Sequence, residues 1–322
     1  MKLVLAIDGS NWVHRAWHTP GASKNHATSV FCQMLEKADR TIGPTHLVVA
    51  FDHPSPTWRH ALFPGYKAGR DPEPPELTAQ LELSAKAAEA YGCQVFRVPG
   101  VEGDDVLATI ATRATVAGVP VIIGSSDKDM AQLASDGVKL LDPKYNVLGP
   151  SEVESKWGVP PSKLRDVLAL MGDSTDGIPG IDGIGPATAA SLVAQYGSAL
   201  EAVAHADEVG GKRGASLAAG RETVELCLCL ATLKTNVDLG AMLTATRRTP
   251  EAFSEFRKKI EEEVVSHTVA CYGVCKGDPN WRSPEGYACS MCSGKGTVTS
   301  YNDRLLQAKE WDAATHRDGG ES

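Results

Sequence analysis

The chain has 322 residues, of which 42% are hydrophobic and 22% are charged, and its formal net charge is −8. This composition is typical of a folded globular protein, and the length suggests two or three domains. The apolar runs are too short for a transmembrane helix, and Asp8 comes too early for a signal peptide, so a cytoplasmic protein without a membrane partner is expected. The negative charge argues against a passive nucleic-acid binder, but not against a nuclease whose carboxylates hold cations.

Short apolar runs that are β-branched or end at an acid predict five buried strands in the first 150 residues, at 2–8, 46–52, 94–98, 120–124 and 138–142. The segments between them have helical spacing. One predicted helix face carries Leu77, Leu81, Ala85 and Ala88, and another carries Val106, Leu107, Ile110, Ala111 and Ala114. The alternation predicts an α/β fold with a mostly parallel central sheet and helices on both faces. Ligands of such sheets bind beyond the carboxyl ends of the strands.

The second half of the chain has a helical pattern. Ser151 and Glu154 form a capping-box pattern, and 164–171 predicts another helix. A glycine-dense loop over 172–186 precedes a helix that starts at Pro186, and helices continue to about residue 234. Residues 247–251 are expected to be a linker, followed by a charged helix over 253–265, a Cys/Gly-rich stretch and a polar tail. We therefore expect three domains, at 1–172, 173–245 and 246–322.

Acidic residues follow successive predicted strands and precede the glycine loop. Carboxyl ends of parallel strands share one edge, so these acids should converge, and so many carboxylates would repel unless cations lie among them. Oxygen ligands without Cys or His favour Mg²⁺ or Mn²⁺, and this number of acids favours two ions, an arrangement known for phosphodiester hydrolysis. Taken singly, each acid is more often a helix cap or a solvated residue. The set is Asp8, Asp52, Glu102, Asp104, Asp105, Asp127, Asp129, Asp173 and Asp176.

A segment at 57–70 interleaves aromatic residues with cations, which is typical of a segment that brings positive charge to a phosphate while a ring stacks on a base. Lys67 and Arg70 are three residues apart and would share one helix face. Arg59 and Tyr66 are further candidates for DNA contact. The alternative is a solvated surface helix in which Phe63 and Tyr66 are packing residues.

The segment at 183–189 predicts a helix-hairpin-helix turn. Glycines at Gly183 and Gly185 let the backbone, including that of Ile184, approach a phosphate, and the amides near Thr188 at the start of the next helix point at the anion. Carbonyl groups of the same turn are candidate ligands for K⁺. A tight turn without a ligand is the alternative reading of such a glycine pair.

These motifs together resemble the 5′-nuclease, or flap endonuclease, superfamily, and in particular the 5′→3′ exonuclease domain of bacterial DNA polymerase I and stand-alone phage 5′ nucleases. The resemblance covers about residues 1–240. It rests on IDGS at 7–10, AFD at 50–52, WRH at 58–60, YKAGR at 66–70, GVEGDD at 100–105, SDKDMAQL at 126–133, GDSTDGIPG at 172–180, GIGP at 183–186 and ATLKT at 231–235. Gly177 stands where the family usually has Asn, and Ala187 where it usually has Lys.

The resemblance implies a PIN-like nuclease core followed by a helix-three-turn-helix DNA-binding region, with two Mg²⁺ sites. It places Asp8, Asp52, Glu102, Asp104 and Asp105 at or near the first site, and Asp127, Asp129, Asp173 and Asp176 at or near the second. Lys67 and Arg70 match cations that neutralise the scissile phosphate at the base of a helical arch. The implied partner is DNA with a 5′ end or 5′ flap, in replication or repair, with an RNA–DNA hybrid also open. No polymerase region follows, so a free-standing nuclease of a bacterial or phage-infected cell is expected.

The C-terminal extension contains a spacing typical of a structural zinc site. Four cysteines, Cys271, Cys275, Cys289 and Cys292, are followed by glycines, and the second pair resembles the zinc motif of DnaJ-type chaperones. Free thiols or a redox pair are the alternatives, and His267 is a substitute ligand. The remaining cysteines, Cys32, Cys93, Cys227 and Cys229, are expected to be buried packing residues.

Two other functions stay open from the residues alone. A catalytically silent protein that binds DNA junctions would keep the fold but would have no chemical use for nine acids. A PIN-type ribonuclease would share the carboxylates but act on RNA. Cleavage assays with and without Mg²⁺, on DNA and on RNA–DNA substrates, distinguish the three.

Overall fold

A computed structural model describes residues 2–19, 25–240 and 243–267. Within those ranges a six-stranded sheet has the order β3-β2-β1-β4-β5-β6, and all neighbours are parallel except β5 and β6. The expected mostly parallel sheet is confirmed. The strands are β1 (Val4–Asp8), β2 (His46–Ala50), β3 (Gln94–Phe96), β4 (Val121–Gly124), β5 (Val138–Leu141) and β6 (Val147–Leu148).

The edge of the sheet that carries the acids is centred on β1. β2 and β3 lie on one side of β1 and β4, β5 and β6 on the other, so the strand order reverses at β1, which is where open α/β sheets bind ligands. The register pairs Asp8 with Ala50 and Ile7 with Gly124. Residues that follow β2 and β4 therefore lie beside the end of β1, as the positions of the acids predicted.

Helices cover both faces of the sheet and continue into a helical region. They are α1 (Gly9–Trp17), α2 (His26–Ile42), α3 (Trp58–Leu62), α4 (Pro75–Tyr91), α5 (Gly103–Val116), α6 (Pro150–Trp157), α7 (Pro161–Met171), α8 (Pro186–Tyr196), α9 (Ala199–Ala204), α10 (Ala206–Val209), α11 (Gly211–Ala219), α12 (Arg221–Ala231) and α13 (Pro250–His267). A short 3₁₀ helix spans Asp129–Leu133. No helix within the described ranges is both long and apolar enough to span a bilayer.

Alternating strand residues belong to two hydrophobic clusters, one on each face of the sheet. Leu5, Ile7 and Val49 pack with α1, α2 and α4, whereas Val4 and Ala6 pack on the other face with α5 and with the helical region. This alternation is the period-2 pattern of a strand buried on both sides. The helical region therefore shares a continuous core with the sheet.

Two local predictions need correction. Ser151 and Glu154 do not cap α6. The helix begins two residues earlier, where the carboxylate of Glu152 accepts the Gly149 N–H at 2.8 Å. Cys229 is exposed, whereas Cys32, Cys93 and Cys227 are buried as expected. Cys229 lies on the outer face of α12, a position that its helical register could have indicated.

The expected linker at 247–251 is instead held against the sheet domain. Arg248 pairs with both oxygens of Asp39, and the Thr249 hydroxyl donates to the Ala90 carbonyl at 2.6 Å. The helix that follows, α13, packs on α4 through Phe253, whose ring meets that of Tyr91 edge to face. The four cysteines of the expected zinc motif lie outside the described residues.

Candidate active site

Hydrogen bonds from neighbouring segments hold the carboxylates in place at the end of β1. Asp8 caps α1 by accepting the Asn11 N–H at 2.9 Å, and its second oxygen accepts the Ser125 hydroxyl at 2.8 Å. Asp52 accepts the Gly103 N–H at 2.7 Å and donates its own N–H to Ser10 Oγ at 2.9 Å. The start of α1, the segments after β2 and β4 and the first residue of α5 are thereby tied to one another through the acids.

The carboxylates at this edge raise one another's pKa values. Burial raises the pKa of Asp8 to about 7, and repulsion from Asp52 adds to the effect. Burial and the charges of Asp8, Asp127 and Asp52 hold the pKa of Asp104 well above its usual range. Burial, with the charge of Asp127, raises the pKa of Asp129 to about 7. The acids thus form one strongly negative patch, where carboxylates in an apolar surrounding disfavour their own ionisation.

The loop after β4 connects this patch to the glycine loop after α7. The Asp129 N–H donates to Asp127 Oδ1 at 2.8 Å, which fixes both acids at the start of the 3₁₀ helix. The Lys128 ammonium forms an ion pair with Asp173. Burial would raise the pKa of Asp173, but the hydrogen bond and charge of Lys128, together with the backbone N–H groups of Thr175 and Asp176, outweigh burial and hold this pKa below its ordinary value. Lys128 is therefore the cation that joins the two acidic loops.

Lys67 and Arg70 also point at the acids, but from a turn. The expected shared helix face is wrong, because α3 ends at Leu62 and Lys67 has a left-handed φ of 54°. The Lys67 backbone N–H donates to the Asp176 carbonyl at 2.8 Å, and Nζ lies 2.5 Å from Glu102 Oε1 and 3.8 Å from Asp176 Oδ2. Arg70 pairs with the same Asp176 carboxylate. Both predicted cations therefore lie at the edge of the acidic patch.

Three predicted site residues are placed differently from expectation. Arg59 and Tyr66 are only 3% and 4% exposed, and Asp105 is 0% exposed. Arg59 binds Asp105 through two nitrogens at 3.0 Å, and the Tyr66 hydroxyl donates to Glu102 at 3.0 Å. Burial excludes Arg59 and Tyr66 as direct DNA contacts. Asp105 is withdrawn from solvent and shares Arg59 with Glu102, so the patch at the sheet edge consists of the other eight predicted carboxylates.

The glycine hairpin leaves its backbone accessible at the start of α8. Gly183 has a φ of 76° and is exposed, and Gly185 is the N-cap residue before Pro186. The Ile184 side chain is 3% exposed and packs in the core, so this residue can offer a ligand only its backbone. Thr188 is half-buried on the first turn of α8. The turn has the geometry expected of a phosphate-binding helix N-terminus.

Sequence reasoning missed several residues that hold the site. Ser10 and Ser125 hold neighbouring segments together as described. The Ser126 hydroxyl and backbone N–H donate to Asn11 Oδ1 at 2.8 and 3.2 Å. Lys128 could have been found, because a lysine between two predicted metal-binding acids must neutralise one of their neighbours. The serines carried only a weaker signal, their positions directly after strand ends.

The oxygen donors of this patch are chemically suited to hard divalent cations. Eight carboxylates share the patch, with no Cys or His among them. In the described part of the chain, no three His, Cys, Asp or Glu side chains are arranged so that they could hold a metal ion. Their contacts are instead with N–H groups, hydroxyls and the cations Arg59, Lys67, Arg70 and Lys128. The carboxylates are therefore gathered at one edge by the fold and held there by these partners.

Comparison with known families agrees with this geometry. The model of the 5′-3′ exonuclease N-terminal resolvase-like domain matches residues 3–158, and that of the 5′-3′ exonuclease C-terminal SAM fold matches residues 159–253. The chain belongs to the 5′-3′ exonuclease family. The resemblance seen in the motifs is confirmed, as is the expected core with a helical region after it.

Curated relatives of this exonuclease family are longer than the chain. DNA polymerase I of Rhizobium leguminosarum is 37% identical over 284 residues, which is 82% of this chain and 28% of that protein. The thermostable DNA polymerase I of Thermus thermophilus is 33% identical over 330 residues, or 98% of this chain and 39% of that protein. The chain thus spans between 28% and 39% of the length of these two relatives.

Solved structures share the fold at low identity. The phage T5 flap endonuclease, in a complex with DNA and metal ions, superposes with a TM-score of 0.64 at 20% identity, over 82% of this chain and 100% of that one. Human GEN1, in complex with Holliday junction DNA, gives a TM-score of 0.55 at 16% identity, over 99% of this chain and 75% of that one. Both likenesses support the 5′-nuclease architecture.

Proposed function

We propose that this exonuclease-family chain is a divalent-metal-dependent hydrolase that cleaves DNA phosphodiesters at 5′ ends and 5′ flaps, with RNA–DNA hybrids as a second substrate. The observation that carries the proposal is the patch of eight carboxylates at the edge of the sheet, in which burial and mutual repulsion raise the pKa values of Asp8, Asp104 and Asp129. Such an arrangement opposes its own charge and is relieved by cations. A structural role would not require it.

The donor set fits two hard divalent ions, Mg²⁺ or Mn²⁺. We assign Asp8, Asp52, Glu102 and Asp104 to one ion and Asp127, Asp129, Asp173 and Asp176 to the other. Asp105 is left out, because Arg59, Trp58 and the Lys234 N–H occupy its two oxygens. When bound, such ions lower the pKa of a water molecule and stabilise negative charge on a phosphate.

The chain's own cations complete the site. Attraction to Glu102 and Asp176 outweighs the effect of burial and raises the pKa of Lys67, so this ammonium stays charged near neutral pH. Lys67 and Arg70 exchange these carboxylates for the scissile phosphate when DNA binds, which brings positive charge to the phosphate oxygens. The hairpin at Gly183 and Gly185 binds the DNA backbone without reading its sequence, with K⁺ bound by the carbonyls of the same turn.

For the C-terminal extension we propose a structural Zn²⁺ ion held by Cys271, Cys275, Cys289 and Cys292. The support is their spacing alone, which matches closed four-thiolate sites. Metal analysis of the purified full chain should find about one zinc per chain, and Cys289→Ser with Cys292→Ser should remove it. Wild-type protein that lacks zinc after expression in zinc-supplemented medium would refute this assignment.

The proposed activity is tested with 5′-labelled flap, nicked, single-stranded and RNA–DNA substrates, each with Mg²⁺ and with EDTA. Asp127→Asn and Asp176→Asn should reduce flap cleavage by at least about 100-fold while DNA binding, measured in Ca²⁺, is retained. Asp136→Asn, at an exposed acid outside the patch, is the matched control and should cleave as the wild type does.

Three results would contradict the proposal. DNA binding without cleavage by the wild type would indicate a silent junction-binding protein. Cleavage confined to RNA would indicate a ribonuclease. Wild-type rates in both Asp variants would remove the carboxylate patch from the chemistry.

A further inference from the structure

Arg59 is buried at the junction between the sheet domain and the helical region, and all five N–H groups of its guanidinium are used. Nε donates to the Leu230 carbonyl at 2.9 Å, and Nη2 donates to the Thr232 carbonyl at 3.0 Å. Nη1 donates to Glu102 Oε2 at 2.8 Å and to Asp105 Oδ2 at 3.0 Å, and Nη2 also donates to Asp105 Oδ1 at 3.0 Å. A planar fork with five fixed donors is a geometry that arginine provides and lysine does not.

Asp105 is the matching acceptor on the other side of this contact. Besides the two bonds from Arg59, its oxygens accept the Trp58 indole N–H at 3.0 Å and the Lys234 backbone N–H at 2.9 Å. The Trp58 ring lies between two cations, with the Arg59 guanidinium 4.5 Å and the Lys234 ammonium 4.6 Å from its centre. The buried charge of Asp105 is thus paired and fully hydrogen-bonded, as a buried ion pair must be to be stable.

These contacts connect the helical region with one acid of the site. Glu102 is the N-cap residue of α5, and its carboxylate receives Arg59 on Oε2, Lys67 on Oε1 and the Tyr66 hydroxyl on both. Lys67 is 23% exposed and can leave for a phosphate, whereas Arg59 is buried on all sides. After that exchange, Arg59 and Tyr66 are the partners that keep the Glu102 carboxylate in place.

We propose that Arg59 is a positioning residue for the nuclease reaction. It fixes the Glu102 carboxylate and the start of α5 for metal binding, and it ties that start to the segment 230–234 at the end of α12. The orientation of the metal-binding acid therefore depends on the docking of the helical region. This inference rests on the proposed function, since it assigns Glu102 to a divalent ion.

The test compares Arg59→Lys with the wild type and with a matched control, Arg113→Lys. Arg113 lies in the last turn of α5 and donates to the Val237 carbonyl at 2.7 Å, so it ties the same downstream segment to the sheet domain without touching the site. Mn²⁺ affinity is measured without DNA by electron paramagnetic resonance, kcat and KM are measured on a 5′-flap, and circular dichroism verifies folding at the assay temperature.

Loss of an outer partner of a metal ligand typically lowers metal affinity or activity about 10–100-fold. We expect Arg59→Lys to weaken Mn²⁺ binding and to lower kcat by about tenfold or more, with KM for DNA changed less than about twofold. Arg113→Lys should leave both quantities at wild-type values. A folded Arg59→Lys protein with wild-type Mn²⁺ affinity and kcat would overturn the proposal, and so would an equal loss in Arg113→Lys.

If Arg59→Lys does not fold, Trp58→Phe carries the test. This change removes one hydrogen bond to Asp105 and keeps an aromatic ring between the cations, and it should weaken Mn²⁺ binding by about threefold. Unchanged Mn²⁺ affinity in that variant would overturn the proposal. A wild-type protein that binds Mn²⁺ but cleaves no DNA would refute the proposed function alone, because the Mn²⁺ comparison does not depend on cleavage.

Discussion

Asp8→Asn should stabilise the metal-free protein while it removes metal binding. Burial and Asp52 raise the pKa of Asp8 from 3.8 to about 7 in the folded protein. Between about pH 4 and pH 7 the folded state therefore binds more protons than the unfolded state, so the free energy of unfolding falls as the pH rises through this window. Asn carries no charge, and its side chain can still accept from the Asn11 N–H and donate to Ser125 Oγ.

The size of the effect follows from the two pKa values. Relative to a neutral group, the raised pKa of Asp8 lowers the free energy of unfolding by about 4 kcal/mol at pH 8 and by about 2 kcal/mol at pH 5. Urea unfolding followed by circular dichroism in EDTA should therefore show Asp8→Asn more stable than the wild type by about these amounts, with the larger gain at pH 8.

At pH 8, Mg²⁺ should remove most of the difference in stability between the two proteins. An ion present at about 100 times its dissociation constant stabilises the wild type by roughly 3 kcal/mol, and the Asn variant should gain little. Asp136→Asn, an exposed change of the same kind, controls for net charge and should alter neither result. An Asp8→Asn protein no more stable than the wild type in EDTA at pH 8, or equally stabilised at pH 5 and pH 8, would refute the electrostatic reasoning.

Three further predictions test the surroundings of the site. Lys67→Ala should lower the single-turnover cleavage rate by about 100-fold with DNA affinity little changed, and an unchanged rate would remove Lys67 from the mechanism. Gly177→Ala should lower the free energy of unfolding by about 1–3 kcal/mol in urea, because φ is 70° there and a Cβ would lie 2.5 Å from the Gly65 carbonyl oxygen. Wild-type stability would show that the loop shifts to accommodate the methyl group. Arg248→Met should lower the free energy of unfolding by about 1–2 kcal/mol at pH 7, because Asp39 loses its cation. Since Arg248 lowers the pKa of Asp39, the loss should shrink as the pH falls below the ordinary value of 3.8, and a loss independent of pH would assign the effect to packing instead.

The sheet and the acidic edge were predictable because both depend on local patterns. Each of the five predicted strands is present, shortened by one or two residues, since the flanking residues lie in loops. Acids at consecutive strand ends meet by the topology of a parallel sheet, whatever the loop lengths. The two-residue strand β6 was missed because it has no apolar run of its own and pairs only with β5.

Asp104 and Asp105 show that such patterns do not predict which of two neighbouring acids faces the patch. Both follow the same strand in the same motif, but adjacent residues on a helix point about 100° apart, so only one can face the patch. Asp104 does so, whereas Asp105 faces the segment after α12 together with Thr109, one turn further on, whose hydroxyl accepts the Val237 N–H at 3.1 Å. The sequence held no signal for this, because no residue of the predicted stripe of α5 lies three or four positions from Asp105. For its partner Arg59 the sequence held no signal either. Whether this cation meets a phosphate or a buried carboxylate depends on residues 230–234, which are distant in the chain. Those residues contribute backbone groups, and no side-chain pattern records them.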